Sequence, residues 1–121
     1  MILLLVDDDP MILLLAGRVL EAAGYVVRAA GSGADALAQA RREAPDALLL
    51  DLFLDDVDGD ELLPRLRDVP GLAGVPVAFL TGQDDSAEVA RLTALGARGV
   101  IAKPFDPEAL AGEVRRLLGP P

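Results

Sequence analysis

Neither cysteine nor histidine occurs in this chain, and lysine occurs once. Without cysteine there is no disulfide framework and no thiolate metal site. Without histidine, the commonest general base, the usual transition-metal ligand and any phosphohistidine role are gone. Positive charge is scarce as well. Eleven basic residues face twenty acidic ones, and a net charge of −9 argues against binding nucleic acid or an anionic membrane surface. No apolar run is long enough to span a bilayer. The first, Ile2 to Val6, is cut short by three acids, and no signal or transit peptide is legible, so a cytoplasmic location is expected.

What is present is a hydrophobic core. At 121 residues and 52% apolar, the chain is one domain with enough buried surface to fold without staples. Ten of the eleven basic residues are arginine, so the single lysine, Lys103, directly before Pro104, stands out.

Apolar runs and helical patterns alternate from end to end. Ile2–Val6 reads as a buried parallel strand. Asp9 followed by Pro10 is an N-cap with proline at the first helical position, and that helix stops at Gly24. "YVVRAA" is a second strand, and a helix follows with Ser32 as its cap and Asp35 three residues on. "ALLLDLFL" reads as the third strand, followed by an acidic loop to Gly59 and a helix through "ELLPRLRD", with Pro64 in its first or second turn. "VPVAFL" is the fourth strand, before a helix with Ser86 as cap and Gly96 as stop. "GVIA" is the fifth, and Asp106–Pro107 opens a last helix to about Leu118, leaving 120–121 as a terminus or the start of a linker. Five such β–α units predict a parallel sheet covered by helices on both faces, in three α/β/α layers.

All strands of a parallel sheet end on one edge, where ligands bind. Asp7 and Asp8 follow the first strand, Asp51 the third, Thr81 and Gly82 the fourth, and Lys103 the fifth. Three carboxylates, a hydroxyl and an ammonium on one edge suit Mg²⁺, which takes oxygen ligands and bridges them to phosphate. A carboxylate beside such a metal can attack a phosphoryl group, while lysine and hydroxyl hold the spreading charge and Gly82 leaves room for the group to enter. Asp9 is accounted for by capping. Asp55, Asp56, Asp58, Asp60 and Glu61 read as a solvated turn and a helix N-terminus. A calcium loop fails: with Gly59 at its sixth position, Leu54 and Arg65 stand where acids are required.

Taken together and in order, "LLLVDDDP", "LLLDLFLDDVDG", "FLTG" and "GVIAKPFDP" resemble the receiver domain of two-component response regulators, over essentially the whole chain. The resemblance implies a flavodoxin-like doubly wound sheet, order 2-1-3-4-5, with five helices, and a receiver domain over 1–119. It implies that Asp51 is the phosphoacceptor and that Asp7 and Asp8, with Asp51 and the backbone carbonyl of Phe53, hold Mg²⁺. Thr81 is then the hydroxyl switch beside Gly82, Lys103 binds the phosphoryl group, and the Lys103–Pro104 bond is cis. Phe53 and Gln83 flank the path of the hydrolytic water and would set the dephosphorylation rate.

Its implied partners are a sensor histidine kinase or phosphotransfer protein, and a downstream target or attached output domain. A homodimer through the last two helices and strand five belongs to the same expectation. Such a domain promotes its own phosphorylation but is not a turnover enzyme. The rival readings are a degenerate receiver, acting as a phosphorylation-independent interaction or dimerisation module, and an aspartyl phosphohydrolase. The second needs an acid where Phe53 stands.

Three positions depart from the family pattern. Asp55 replaces a usual proline, which loosens that loop, and Phe53 replaces a commonly polar side chain. Val100 replaces the aromatic whose ring turns inward on activation, leaving the usual coupling between Thr81 and the output face without its moving part.

Overall fold

Five apolar runs become five short strands because each is followed by residues that cap a helix. The computed structural model describes residues 1–121. The order is β1 (Ile2–Val6), α1 (Pro10–Ala22), β2 (Val26–Ala30), α2 (Gly33–Arg42), β3 (Ala47–Asp51), α3 (Gly59–Arg67), β4 (Val77–Thr81), α4 (Ser86–Ala94), β5 (Gly99–Ala102) and α5 (Pro107–Leu118). The strands form one sheet in the order β2-β1-β3-β4-β5, every neighbouring pair parallel. No helix is long and apolar enough to cross a membrane.

The two-residue period of the strands divides the core. Leu4, Val6, Leu48, Leu50, Val77 and Phe79 pack with Ala36, Ala40, Leu62, Leu66 and Leu92, so α2, α3 and α4 cover one face. Leu3, Leu5, Leu49, Ala78, Leu80 and Ile101 pack with Ala16, Leu20, Leu110 and Val114, placing α1 and α5 on the other. The chain leaves β1 for β2 on one side and crosses to β3 on the other. The switch of direction therefore lies between the carboxyl ends of β1 and β3, where a crevice forms.

Side chains set most helix starts. Asp9 accepts from the Met11 amide, Ser32 from Asp35 and Asp106 from Glu108, as their sequence positions predict. Strand ends shift by a residue or two, with β2 at Val26–Ala30 and β4 at Val77–Thr81, and two further boundaries differ from expectation. The cap of α4 is Asp85, whose carboxylate accepts from the Glu88 amide at 2.9 Å, and Ser86 is the first helical residue. Asp85 and Glu88 stand at the spacing of a capping box, which is the stronger signal. The third strand ends at Asp51, not at Leu54. Beyond Asp51 the chain folds back, with Phe53 bridging Asp58 in antiparallel fashion and the Gly59 amide donating to the Leu52 carbonyl at 2.6 Å. Leu52 and Leu54 stay buried, so their apolarity reflects core packing and not strand.

That return is anchored further along. The Asp56 carboxylate accepts from the amides of Gly33 and Ala34, both at 3.0 Å, and so caps α2 from a distant loop. Val57 packs so close to Gly33 that a Cβ there would meet its Cγ1 at 2.3 Å. The loosening expected from the missing proline at 55 is thus opposed by ties at both ends of the segment.

Gly59 is the tightest point. A Cβ would lie 2.2 Å from the Asp51 carbonyl oxygen, which is backbone and cannot move aside cheaply. Alanine is the better helix former by about 1 kcal/mol, but that gain cannot offset a clash inside the strand that carries Asp51. Gly59→Ala is expected to lose about 1–3 kcal/mol of stability, read from the midpoint of urea unfolding.

Candidate functional site

Only three polar side chains are buried in the whole molecule: Asp7, Asp51 and Thr81. All three stand at the carboxyl ends of strands. Asp7 follows Val6, while Asp51 and Thr81 are the last residues of β3 and β4. Burying carboxylates costs free energy unless something compensates it, so their convergence at the switch point marks a working site.

Lys103, one residue past β5, supplies the compensation. Its Nζ lies 2.7 Å from Asp7 Oδ2 and 3.2 Å from Asp51 Oδ1. Apart from this ammonium the carboxylate oxygens have few partners. Asp7 Oδ1 accepts from the Asp9 amide at 2.9 Å. Asp51 Oδ1 accepts a long contact, 3.4 Å, from the Phe53 amide. Asp7 Oδ2, close as it is to the ammonium, is fully buried with no hydrogen bond of good angle.

The electrostatics follow from this packing. Burial raises the Asp51 pKa above the ordinary carboxylate range, and the Asp7 charge adds to it, against the opposing pull of Lys103. Burial alone would lower the Lys103 pKa. Its contact with Asp7 and the charges of both aspartates outweigh that and leave it raised, so the ammonium is firmly charged.

Asp8 completes an acidic cluster. Ligand oxygens of Asp7, Asp8 and Asp51 all lie within 4.8 Å of one another. Three carboxylates, one of them with a buried oxygen whose near partner is the Lys103 ammonium, fit a hard divalent cation with oxygen ligands, and they do not suit a soft metal. Phe53, whose carbonyl is the expected fourth ligand, stands beside them with its ring half exposed.

The other expected residues sit as follows. The Thr81 hydroxyl accepts from the Gln83 amide at 3.0 Å, and the Lys103 amide donates to the Thr81 carbonyl at 2.9 Å. A Cβ on Gly82 would meet only the Lys103 carbonyl, at 3.8 Å, so the fold itself does not require glycine and the space beside Thr81 is open. The Gln83 side chain is exposed. The Lys103–Pro104 bond is cis. Val100 pairs with Phe79 in the sheet and packs, partly buried, on the face covered by α2, α3 and α4.

Two acids assigned to a solvated turn have definite partners. Asp56 caps α2, as described. Asp60 pairs with Arg91 of α4 at 2.8 Å. The neighbouring Asp8 carboxylate raises the pKa of Asp55. No local motif marks these pairings, because the partners lie far away in sequence.

A doubly wound sheet with an acidic cluster and a lone lysine at its switch point defines a receiver-type signalling domain. The model of the response regulator receiver domain family matches residues 3–115, and the chain belongs to that family. It is similar to the transcriptional regulatory protein TrcR of Mycobacterium tuberculosis, 39% identical over 117 residues covering 95% of this chain and 44% of that protein. It is also similar to the alkaline phosphatase synthesis transcriptional regulatory protein PhoP of Bacillus subtilis, 34% identical over 96% of this chain and 48% of the relative. The chain thus spans about half the length of these curated relatives. Among solved structures it resembles the chemotaxis response regulator CheY4 of Vibrio cholerae (TM-score 0.90, 31% identity, 97% and 98% of the two chains). A CheY-like receiver domain protein of Methanospirillum hungatei is similar too (TM-score 0.84, 30% identity, 97% and 92%).

The raised Asp51 pKa has a consequence for stability. The folded state holds that proton more tightly than the unfolded chain, so its contribution is present at low pH and is lost as pH rises through the raised value. At pH 7 an ionised Asp51 therefore costs stability. In a chelating buffer, Asp51→Asn is expected to melt at a higher temperature than the wild type at pH 7. The difference should shrink as pH falls below about 4, the ordinary carboxylate value. Equal melting temperatures at pH 7 would show that Lys103 already cancels the cost.

Proposed function

We propose that residues 1–119 act as a phosphorylatable receiver, with Asp51 as the phosphoacceptor. The observation that carries this is the burial of Asp51 beside a charged Lys103 and within reach of Asp7 and Asp8. An Asp51 oxygen attacks phosphorus, the bond from phosphorus to the donor's imidazole nitrogen breaks, and an acyl phosphate forms as the imidazole leaves and takes up a proton. Lys103 stabilises one equatorial oxygen of the transferring group and the Thr81 hydroxyl donates to another. Asp7, Asp8, Asp51 and the Phe53 carbonyl hold Mg²⁺, which when bound neutralises charge that builds on the phosphoryl oxygens.

The phosphodonor is a histidine kinase or phosphotransfer protein, since this chain has no histidine of its own. A surface for it lies at the mouth of the site. Met11, Leu14 and Leu15 are 68, 50 and 44% exposed on α1, the helix that begins just after Asp7 and Asp8. A macromolecular donor whose side chain must reach Asp51 covers this apolar stripe as it approaches. The setting is cytoplasmic, the output is a protein target or an attached output domain, and the domain does not turn over free substrates.

Phosphorylation acts on α4. That helix buries one residue, Leu92, whereas α3 and α5 each bury four, so it has the least packing to lose. With Val100 in place of an aromatic, the change at Thr81 passes through the Gln83–Asp85 loop into α4 and the face it makes with β5 and α5. A target, or a second copy in a homodimer, would bind there. A degenerate receiver is the weaker reading, because every side chain the chemistry needs is present.

Incubation with acetyl phosphate and Mg²⁺ is expected to add one base-labile phosphoryl group, found by intact-mass analysis and absent in Asp51→Asn. No adduct on the wild type would favour the degenerate module.

The lifetime of the adduct turns on Phe53 and Gln83. Hydrolysis needs a water in line behind phosphorus. The Phe53 ring, half exposed, cannot orient one, and the Gln83 side chain is not a base. Phe53→Asn is expected to lose its phosphoryl group several-fold faster than wild type at fixed Mg²⁺ and pH. An equal or slower rate would leave Phe53 with only a backbone role.

A further inference from the structure

Between Phe53 and Asp58, Asp56 alone makes hydrogen bonds to a distant part of the chain. One of its carboxylate oxygens accepts from the Gly33 amide and the other from that of Ala34, each at 3.0 Å. These are the first two residues of α2, where free amides and the helix dipole favour a negative charge. Amide bonds to an ionised carboxylate are among the stronger ones, and here two converge on one group. Packing fixes the same joint. Gly33 is buried, and a Cβ there would meet Val57 Cγ1 at 2.3 Å. The residue next to Asp56 thus sits in the space that glycine leaves.

The joint supports the chemistry on the other side of the loop. Phe53, whose carbonyl is the expected metal ligand, stands three residues before Asp56. It bridges Asp58, and so moves with the segment that Asp56 ties. The ends of the loop are already fixed, at Asp51 in the sheet and at Gly59 against the Asp51 carbonyl. Its middle has no other hydrogen bond to the rest of the fold, so its height over the site is set from α2.

We propose that Asp56 is a positioning residue of the site. By clamping the loop to the first turn of α2, it aims the Phe53 carbonyl at the cation and so sets how tightly Mg²⁺ is held. Groups that orient a metal ligand from behind are worth about ten- to a hundredfold in affinity. The inference rests on the metal-binding reading given above, and it assigns Asp56 no contact with the ion or the phosphoryl group. It also makes α2 part of the site's support, because a shift of its first turn moves the carbonyl.

The test compares Asp56→Ala and Asp56→Asn with two controls, in an MgCl₂ titration at constant ionic strength read by amide chemical shifts. Ser32→Ala removes the other cap of the same helix, the bond from the Asp35 amide to the Ser32 hydroxyl, and leaves the loop alone. Asp58→Asn removes a charge from the loop at an exposed side chain that makes no capping bond. Asp56→Ala is expected to bind Mg²⁺ about tenfold more weakly, the lower end of what losing an orienting group costs. In chelator its amides at 53–58 should exchange faster than those of the wild type. Asp56→Asn, which keeps one acceptor oxygen, should fall between the two. Both controls should stay within about twofold of wild-type affinity, although Ser32→Ala also lowers the urea midpoint. Unchanged affinity in Asp56→Ala, with a lower urea midpoint, overturns the proposal and leaves a plain helix cap. Equal weakening in Asp58→Asn overturns it as well, since charge alone would then be the cause. If the wild type takes up no Mg²⁺, or Asp51→Asn binds as well as it does, the metal-site reading falls, and this role with it.

Discussion

Two buried carboxylates, Asp7 and Asp51, share one ammonium, and the arrangement of the chain serves that contact. Neither acid would be tolerated alone in such a place, because ionised groups leave water only for a compensating charge. Lys103 must therefore be delivered to the same point from the far side of the sheet, across β4. The parallel topology does this without adjustment, since every strand ends on the same edge. The short β3–α3 return and the close fit at Gly59 then hold the Asp51 backbone where the lysine can find it.

The compensation is incomplete, and the imbalance is informative. One ammonium stands among Asp7, Asp8 and Asp51, so carboxylates outnumber cations at the site. A metal ion and an incoming phosphoryl group change that balance in opposite directions. A site built this way is sensitive to both. Its reach into the fold follows from the packing. Asp51 and Thr81 are the last residues of fully buried strands, so a displacement there meets rigid core on one side and the lightly packed α4 on the other.

Most of this was legible in the sequence because it is periodic or local. The five apolar runs fixed the strands, and Asp9–Pro10, Ser32 and Asp106–Pro107 fixed three helix starts. The acids at positions 7, 8 and 51 and the lone lysine at 103 could be placed on one edge from topology alone. The sequence misled where one property served two ends. Leu52 and Leu54 are apolar for burial in the core and not for a strand, and Ser86 is as good a cap by type as Asp85. It was silent where partners are distant. Asp56 capping α2 joins residues more than twenty positions apart, and Asp60 meets Arg91 across two helices. No local pattern encodes such pairs, because a solvated acid and a paired one look alike until the fold brings a partner to them.

The solitary lysine also fixes where amine chemistry can occur. Apart from the amino terminus, which donates to the Pro121 carbonyl at 2.5 Å, Lys103 is the chain's one primary amine. Within residues 1–121, side-chain acylation, reductive alkylation or attachment to an amine-reactive support can therefore occur only at the middle of the site. Acylation there would remove the sole cation separating Asp7 from Asp51. The ten arginines offer no such handle.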